Sequence, residues 1–316
     1  MDSTIATIAL PAALAVIMLG LGLSLTVGDF VRLTSMPGTV ALILGCQILV
    51  LPLVCLALVL LFDPPPALAV GMMLLAASPG GTTASLYSYL FRGNVALNIS
   101  LTALNSLTAM VTLPLITNLA IARFMGDGDT LGLQVGKVLQ VFAVILVPVA
   151  VGMLVRARAD AFARRMERPV KIASVAVLFG VIAVALYQEL DSIGDYIVSV
   201  GLMVLLFNIA SLTIGYWAPR VLGTGRPEAI ASCMEIGLHN TTLSLAIALS
   251  PALLGSTEMA VPSAVYGVLM FFTAAATGLL VTRGEPVRRP RRPAADPPPP
   301  GADPPDPAGA AHLLSR

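Results

Sequence analysis

Glu235 is a carboxylate inside a run that otherwise reads as membrane, Ala229-Ile-Ala-Ser-Cys-Met-Glu-Ile-Gly-Leu-His-Asn-Thr-Thr-Leu-Ser-Leu-Ala-Ile-Ala-Leu249. Gly237, His239 and Asn240 share the middle of that run. A charge at mid-bilayer costs on the order of 3 kcal/mol even on lenient insertion scales, so it is expected to hold a cation, a partner or a proton. Of the 17 acidic residues, Glu235 is the one the sequence places deep in hydrocarbon. Polar side chains that could share a cation with it recur in other apolar runs. Asn98, Thr102 and Asn105 are spaced i, i+4, i+7, which is one helical face. Together with Ser85 and Glu235 they offer the oxygen ligands that a hard cation such as sodium takes. Gln47, Glu235 and His239 could surround a second cation. Each set also has a plainer reading, as hydrogen bonding between helices.

The elements that must position these residues are membrane helices. The 316 residues are 57% hydrophobic and 11% charged, with a mean hydropathy of +0.91. Soluble domains carry roughly 25% charged residues. The apolar runs are too long and continuous for the short alternating strands of a membrane barrel. Cys46, Cys55 and Cys233 lie in apolar runs without paired spacing and read as small core residues. Nine spans are expected, at about 5–27, 38–62, 67–91, 95–122, 132–155, 170–188, 193–218, 227–250 and 259–282. Turns separate them, among them Gly28-Asp29, Asp63-Pro64-Pro65-Pro66, Arg92-Gly93-Asn94 and Gly223-Thr224-Gly225.

Charge orients the spans. The loop after the fifth carries Arg156, Arg158, Arg164, Arg165, Arg168 and Lys171, and is therefore expected to be cytoplasmic. Alternation then puts 16 of the 18 basic residues inside, leaving only Arg123 and Lys137 elsewhere. The N-terminus is expected outside and the C-terminus in the cytoplasm, in a cell (inner) membrane. Residues 1–283 are expected to form the transmembrane domain, with halves 1–125 and 126–283. Residues 284–316 form a Pro/Arg/Asp tail that cannot bury a core and reads as disordered.

Two spans are interrupted at their centres. The third contains Ala77-Ser-Pro-Gly-Gly-Thr-Thr-Ala-Ser85, where Pro79 cannot donate a backbone hydrogen bond. The eighth contains Glu235-Ile-Gly-Leu-His-Asn-Thr-Thr242. The two run in opposite directions across the membrane, and each is followed by one more span in its half. If the first half lacks an initial helix, the halves form an inverted repeat of four and five helices. Paired interrupted helices at matching positions point to a transport site. Gln47 and Asn208 reinforce the correspondence, as lone amides in the spans that precede each break.

Pro79-Gly-Gly-Thr followed by Tyr89-Leu-Phe-Arg-Gly-Asn-Val-Ala-Leu97, and Glu235-Ile-Gly-Leu-His-Asn240, resemble the two signatures of the bile acid:sodium symporter family. The resemblance covers residues from about 5 to 282. It implies an all-α polytopic fold with a panel domain and a core domain, the core holding two discontinuous helices that cross where they unwind. It also implies two sodium sites. The first would use the Ala84 backbone, Ser85, Asn98, Thr102 and Glu235. The second would use Gln47, Glu235, the backbones of Ile236 and Leu238, and His239. The substrate would sit beside the crossing, at Thr82, Thr83, Asn240 and Thr241, where half-helix N-termini offer N–H groups to an anion. Two departures stand out. The family's usual Ser-Asn pair is Ala84-Ser85 here, and its usual Gln is His239. Histidine offers nitrogen rather than oxygen and titrates near neutral pH, so a proton could replace one sodium.

The function expected is sodium-coupled symport of a small organic anion by alternating access, with one or two sodium ions and the lipid bilayer as surroundings. Proton coupling through Glu235 and His239 is the alternative, and a non-transporting receptor or scaffold a more distant one. Neither a nucleophile elbow nor a His-Glu-x-x-His zinc motif occurs, so an enzyme is not expected. Nothing points to nucleic acid.

Overall fold

A computed structural model describes residues 36–126 apart from Thr82, 135–166, and 193–283 apart from Ala252, with scattered positions at 15–34 and 169–173. Most of the expected spans at 5–27 and 170–188, the tail from 284, and Thr82 lie outside the described residues. The described chain is helical: α1 Pro37–Phe62, α2 Pro66–Ala77, α3 Thr83–Leu90, α4 Val95–Phe124, α5 Val135–Arg158, α6 Ile193–Val221, α7 Arg226–Gly237, α8 Thr241–Leu249 and α9 Thr257–Thr282. Four stretches among the described residues are long and apolar enough to cross a membrane: α1, α4, Val200–Val221 of α6, and α9.

Both interrupted spans are broken where the sequence puts the breaks. The span at 67–91 is α2 and α3, and the span at 227–250 is α7 and α8. A helix of 12 residues such as α2 or α7 is about 18 Å long, too short for a hydrocarbon core of about 30 Å. Each half-helix therefore needs its partner to complete the crossing. The order of continuous helix, broken helix, continuous helix occurs twice, as α1–α2/α3–α4 and as α6–α7/α8–α9.

Local chemistry sets the ends of these elements. Asp63 closes α1 in the left-handed region (φ 45°), its N–H bonded to Val59 O at 2.9 Å. The three prolines that follow cannot continue the helix, and Pro66 opens α2. Asn94 caps α4 by accepting from Leu97 N at 3.0 Å, and its amide also reaches Glu228 of α7. Two features depart from the sequence reading. Helix α1 contains a π turn at Cys46–Val50, where Leu51 N bonds Cys46 O. Pro52 supplies no N–H to the carbonyl of Ile48 and its ring crowds that carbonyl, which favours a widened turn at this point. The basic loop after α5 contains a helical stretch at 160–166, where Asp160 pairs with Arg156 and Arg164 one turn to either side.

The buried core is mostly apolar but also holds polar side chains, and the periphery is apolar as well. Asn98, Ser100, Thr102, Asn105, Asn208 and Glu235 are buried among residues such as Leu74, Leu101 and Met203, while Leu49, Leu53, Leu119, Phe272, Leu279 and Leu280 face outward. An apolar outer surface suits a molecule whose solvent is lipid. The most extensive packing joins α6 to α7 and α2 to α4. Replacing Asn94 with Ala removes the α4 cap and the amide contact to Glu228. It should lower stability by about 1 kcal/mol, read as a fall in the thermal unfolding midpoint of the purified protein.

Candidate functional site

The two breaks lie against each other. The N–H of Gly81 donates to Leu238 O at 2.6 Å, and the N–H of Asn240 donates to Pro79 O at 2.8 Å. Gly80 and His239 thereby form an isolated antiparallel bridge, the sole extended pairing among the described residues. Each helix satisfies the groups freed by the other's unwinding, which is the condition for irregular backbone at membrane depth. Close approach of the Glu235 side chain favours glycine at position 80. A Cβ there would lie 2.3 Å from Glu235 Oε1 and 2.4 Å from its carboxyl carbon.

Glu235, in the last turn of α7, is fully buried. Its Oε2 accepts from Thr102 Oγ1 at 2.5 Å and lies 3.5 Å from Asn98 Nδ2, while Oε1 accepts from Asn105 Nδ2 at 2.9 Å. Three neutral donors on one face of α4 thus meet the carboxylate. Asn98 Nδ2 also donates to Ala231 O at 2.9 Å, fixing that amide along α7. With both amides turned this way, Asn98 Oδ1 and Asn105 Oδ1 are left buried and without partners. No group of three or more His, Cys, Asp or Glu side chains suited to a metal ion occurs among the described residues. The available donors are oxygens of amides, hydroxyls and one carboxylate.

A second cluster hangs from the carbonyl of Ser78, the residue that ends α2. Gln47, on the π turn of α1, donates Nε2 to it at 3.0 Å, and His239 Nδ1 lies 3.2 Å away. A carbonyl can only accept, so Nδ1 carries a proton, and in the neutral imidazole Nε2 then bears a lone pair. His239 Nε2 and Gln47 Oε1 are both buried without partners. Phe207 stacks on the imidazole at 5.5 Å between centroids, and Tyr266 meets it edge-on at 5.3 Å.

The sequence-predicted residues distribute as follows. Asn98 and Thr102 contact Glu235 directly, and Gln47 and His239 meet at Ser78 O. Ala84 is buried and Ser85 half-buried, both in the first turn of α3 just past the crossing. Thr83 begins α3 and Thr241 begins α8. The half-helix N-termini are expected to offer N–H groups to an anion, but four N–H groups in and beside them are engaged: Gly81 with Leu238 O, Asn240 with Pro79 O, Thr241 with His239 O, and Leu243 with the Asn240 side chain. Pairing between the two unwound segments consumes the first two donors, and local bonds within 239–243 consume the other two. Asn105 is among the ligands read from the α4 face, though not in the set that the family resemblance implies, and its spacing from Asn98 and Thr102 is the signal that places it. Ser78, Phe207 and Tyr266 carried no local signal, since their roles depend on contacts across distant helices.

Residues 11–196 match the sodium bile acid symporter family, more than half of the chain. The chain belongs to that family. Its relatives include a probable sodium/metabolite cotransporter, BASS2, of rice (Oryza sativa subsp. japonica), 29% identical over 263 residues, covering 81% of this chain and 60% of the relative. BASS1 of Arabidopsis thaliana, also described as a probable sodium/metabolite cotransporter, is 30% identical, covering 81% of this chain and 62% of its own length. An uncharacterised sodium-dependent transporter of Bacillus subtilis, YocS, is 28% identical, covering 81% and 77%. This chain thus spans about 60% of the length of the two plant proteins. The family and these relatives are transporters rather than enzymes, and the chain is a multi-pass membrane protein. Replacing Gly80 with Ala should drive the new methyl into the Glu235 carboxylate. Hydrogen exchange at Gly81 and Asn240 should then rise, as the two crossing hydrogen bonds are strained apart.

Proposed function

We propose that the protein is a secondary active transporter that couples sodium to the movement of a small organic anion by alternating access. The observation that carries this reading is a fully buried carboxylate, met by neutral donors, beside amide oxygens with no partner. A buried unpaired amide oxygen costs roughly 1–3 kcal/mol. Two such oxygens, on Asn98 and Asn105 of the side chains that meet the carboxylate, suit a hard cation that would take them as ligands, and Gln47 at Ser78 O offers a third. Sodium is here a transported substrate. The first site would use Glu235, Asn98, Thr102, Ser85 and the Ala84 carbonyl, with Asn105 added. The second would use Glu235, Gln47, His239 and the carbonyls of Ile236 and Leu238. The anion would lie beside the crossing, at Thr82, Thr83, Asn240 and Thr241, reached by side-chain hydroxyls more than by backbone N–H groups. A panel of helices would rock against the core, with the N-terminus outside the cell membrane and the C-terminus in the cytoplasm. The relatives' sodium-dependent descriptions support the coupling ion.

A second reading follows from His239. Its Nδ1 is committed to Ser78 O, and its Nε2 presents a nitrogen lone pair rather than a hard oxygen. A proton suits that lone pair, and it would supply the positive charge of the second sodium.

Sodium should stabilise the purified protein against heat relative to equal potassium, by about 2.7 kcal/mol at a hundredfold excess over its dissociation constant. Glu235→Gln keeps the size of the side chain and removes the charge, and should abolish the effect. An unresponsive wild-type protein at every pH between about 6 and 8, the range in which histidine titrates, would overturn the sodium reading. His239→Gln separates the two readings of the second site. A sodium response that loses its pH dependence in this variant identifies a proton at His239, while an unchanged pH profile assigns the site to sodium.

A further inference from the structure

Two side-chain amides act alike at the two breaks. Gln47 of α1 donates to the carbonyl of Ser78, which ends α2. Asn208 of α6 donates to the carbonyl of Gly237, the last residue of α7, at 3.0 Å. Each carbonyl takes a second group from a distant part of the chain. Ser78 O has His239 Nδ1, and Gly237 O has the hydroxyl of Tyr266 on α9 at 2.9 Å.

What is left over differs between them. On the Ser78 side, Gln47 Oε1 and His239 Nε2 have no partner. On the Gly237 side, Asn208 Oδ1 lies against the hydroxyl of Thr273 on α9, whose one proton is also within reach of the carbonyls of Leu269 and Met270. The Tyr266 hydroxyl has only one proton, and it goes to Gly237 O. Asn208 and Tyr266 are fully buried. One half of the repeated plan therefore keeps open ligands, and the other is closed.

The closed arrangement has a mechanical consequence. A carbonyl oxygen has two lone pairs, and both of those on Gly237 are filled. Gly237 O is thus removed from the set of cation ligands, although it lies between Ile236 and Leu238, whose carbonyls are assigned to the second site. The peptide unit is planar, so holding this oxygen fixes the plane shared with the Leu238 N–H. That N–H is bonded to Met234 O at 3.0 Å, and Leu238 O accepts from Gly81. The peptide between the two ligand carbonyls is fixed from α6 and α9 together.

We propose that Asn208, Tyr266 and Thr273 are positioning residues that lock the Gly237 peptide, aim the flanking Ile236 and Leu238 carbonyls, and so set cation affinity at the second site without touching the cation. The affinity half of this proposal rests on the sodium reading above; the lock itself does not.

The test uses the full chain in detergent with four variants: Asn208→Leu, Tyr266→Phe, Thr273→Val and Thr273→Ser. Tyr266→Phe removes one donor with almost no change of shape, so the test survives misfolding of Asn208→Leu. Two quantities are read: hydrogen exchange over residues 235–241, and the sodium concentration giving half-maximal thermal stabilisation. The lock predicts faster exchange over 235–241 in Tyr266→Phe and Thr273→Val. It also predicts a half-maximal sodium concentration about tenfold higher, as for lost outer-shell partners of metal ligands. Thr273→Ser, which keeps the hydroxyl, should return both to wild-type values. Unchanged exchange in Tyr266→Phe and Thr273→Val overturns the lock. Faster exchange with an unchanged sodium midpoint overturns its role in affinity and leaves it merely structural. A wild-type protein that does not respond to sodium removes the affinity half together with the sodium reading, and exchange then decides the lock alone.

Discussion

A carboxylate shut away from water must be satisfied by whatever the protein brings to it. Here that is one face of a single helix. Asn98, Thr102 and Asn105 all turn hydrogen-bond donors toward Glu235, and this commitment decides much else. Both asparagine amides must face the same way, which strands their oxygens. Helix α4 must run close along α7, and a side chain in place of Gly80 would displace the carboxylate. Had a lysine or arginine met Glu235 instead, the charge would be cancelled permanently and nothing would remain for a mobile ion. Neutral donors hold the carboxylate in place without neutralising it.

The crossing solves a second problem with the same economy of parts. Breaking two helices in a membrane exposes backbone groups with no water to bind them. Pairing the breaks lets Gly81 and Asn240 serve Leu238 and Pro79. The cost is that N–H groups which an isolated half-helix would offer to an anion are used internally. On the transport reading proposed above, recognition of an anion would then fall to side chains.

Features governed by local pattern were legible in the sequence. The long apolar runs gave α1, α4, α6 and α9 to within a few residues, and Pro79-Gly80-Gly81 and Gly237 marked the breaks. The α4 face was readable because helical spacing alone places Asn98, Thr102 and Asn105 together. The π turn was missed because Pro52 stands inside a long apolar run, and a proline there does not by itself say how the helix accommodates it. The helical stretch at 160–166 was hidden by a charge density that reads as a loop. The ring stack of Phe207, His239 and Tyr266 and the shared acceptor Ser78 O could not be read, since they join residues 27 to 161 positions apart by routes only the folded chain defines.

The bridge between Gly80 and His239 is a single residue pair, without a ladder on either side to correct its register. Slipping either strand by one residue would place Pro79 or Gly81 opposite His239 and carry Gly80 away from Glu235. Point substitutions in the surrounding helices can be absorbed by repacking. An insertion or deletion between 78 and 83, or between 237 and 241, cannot be. Across a family whose sequences have drifted to about 30% identity, these two short segments should keep constant length while the helices around them change freely in composition.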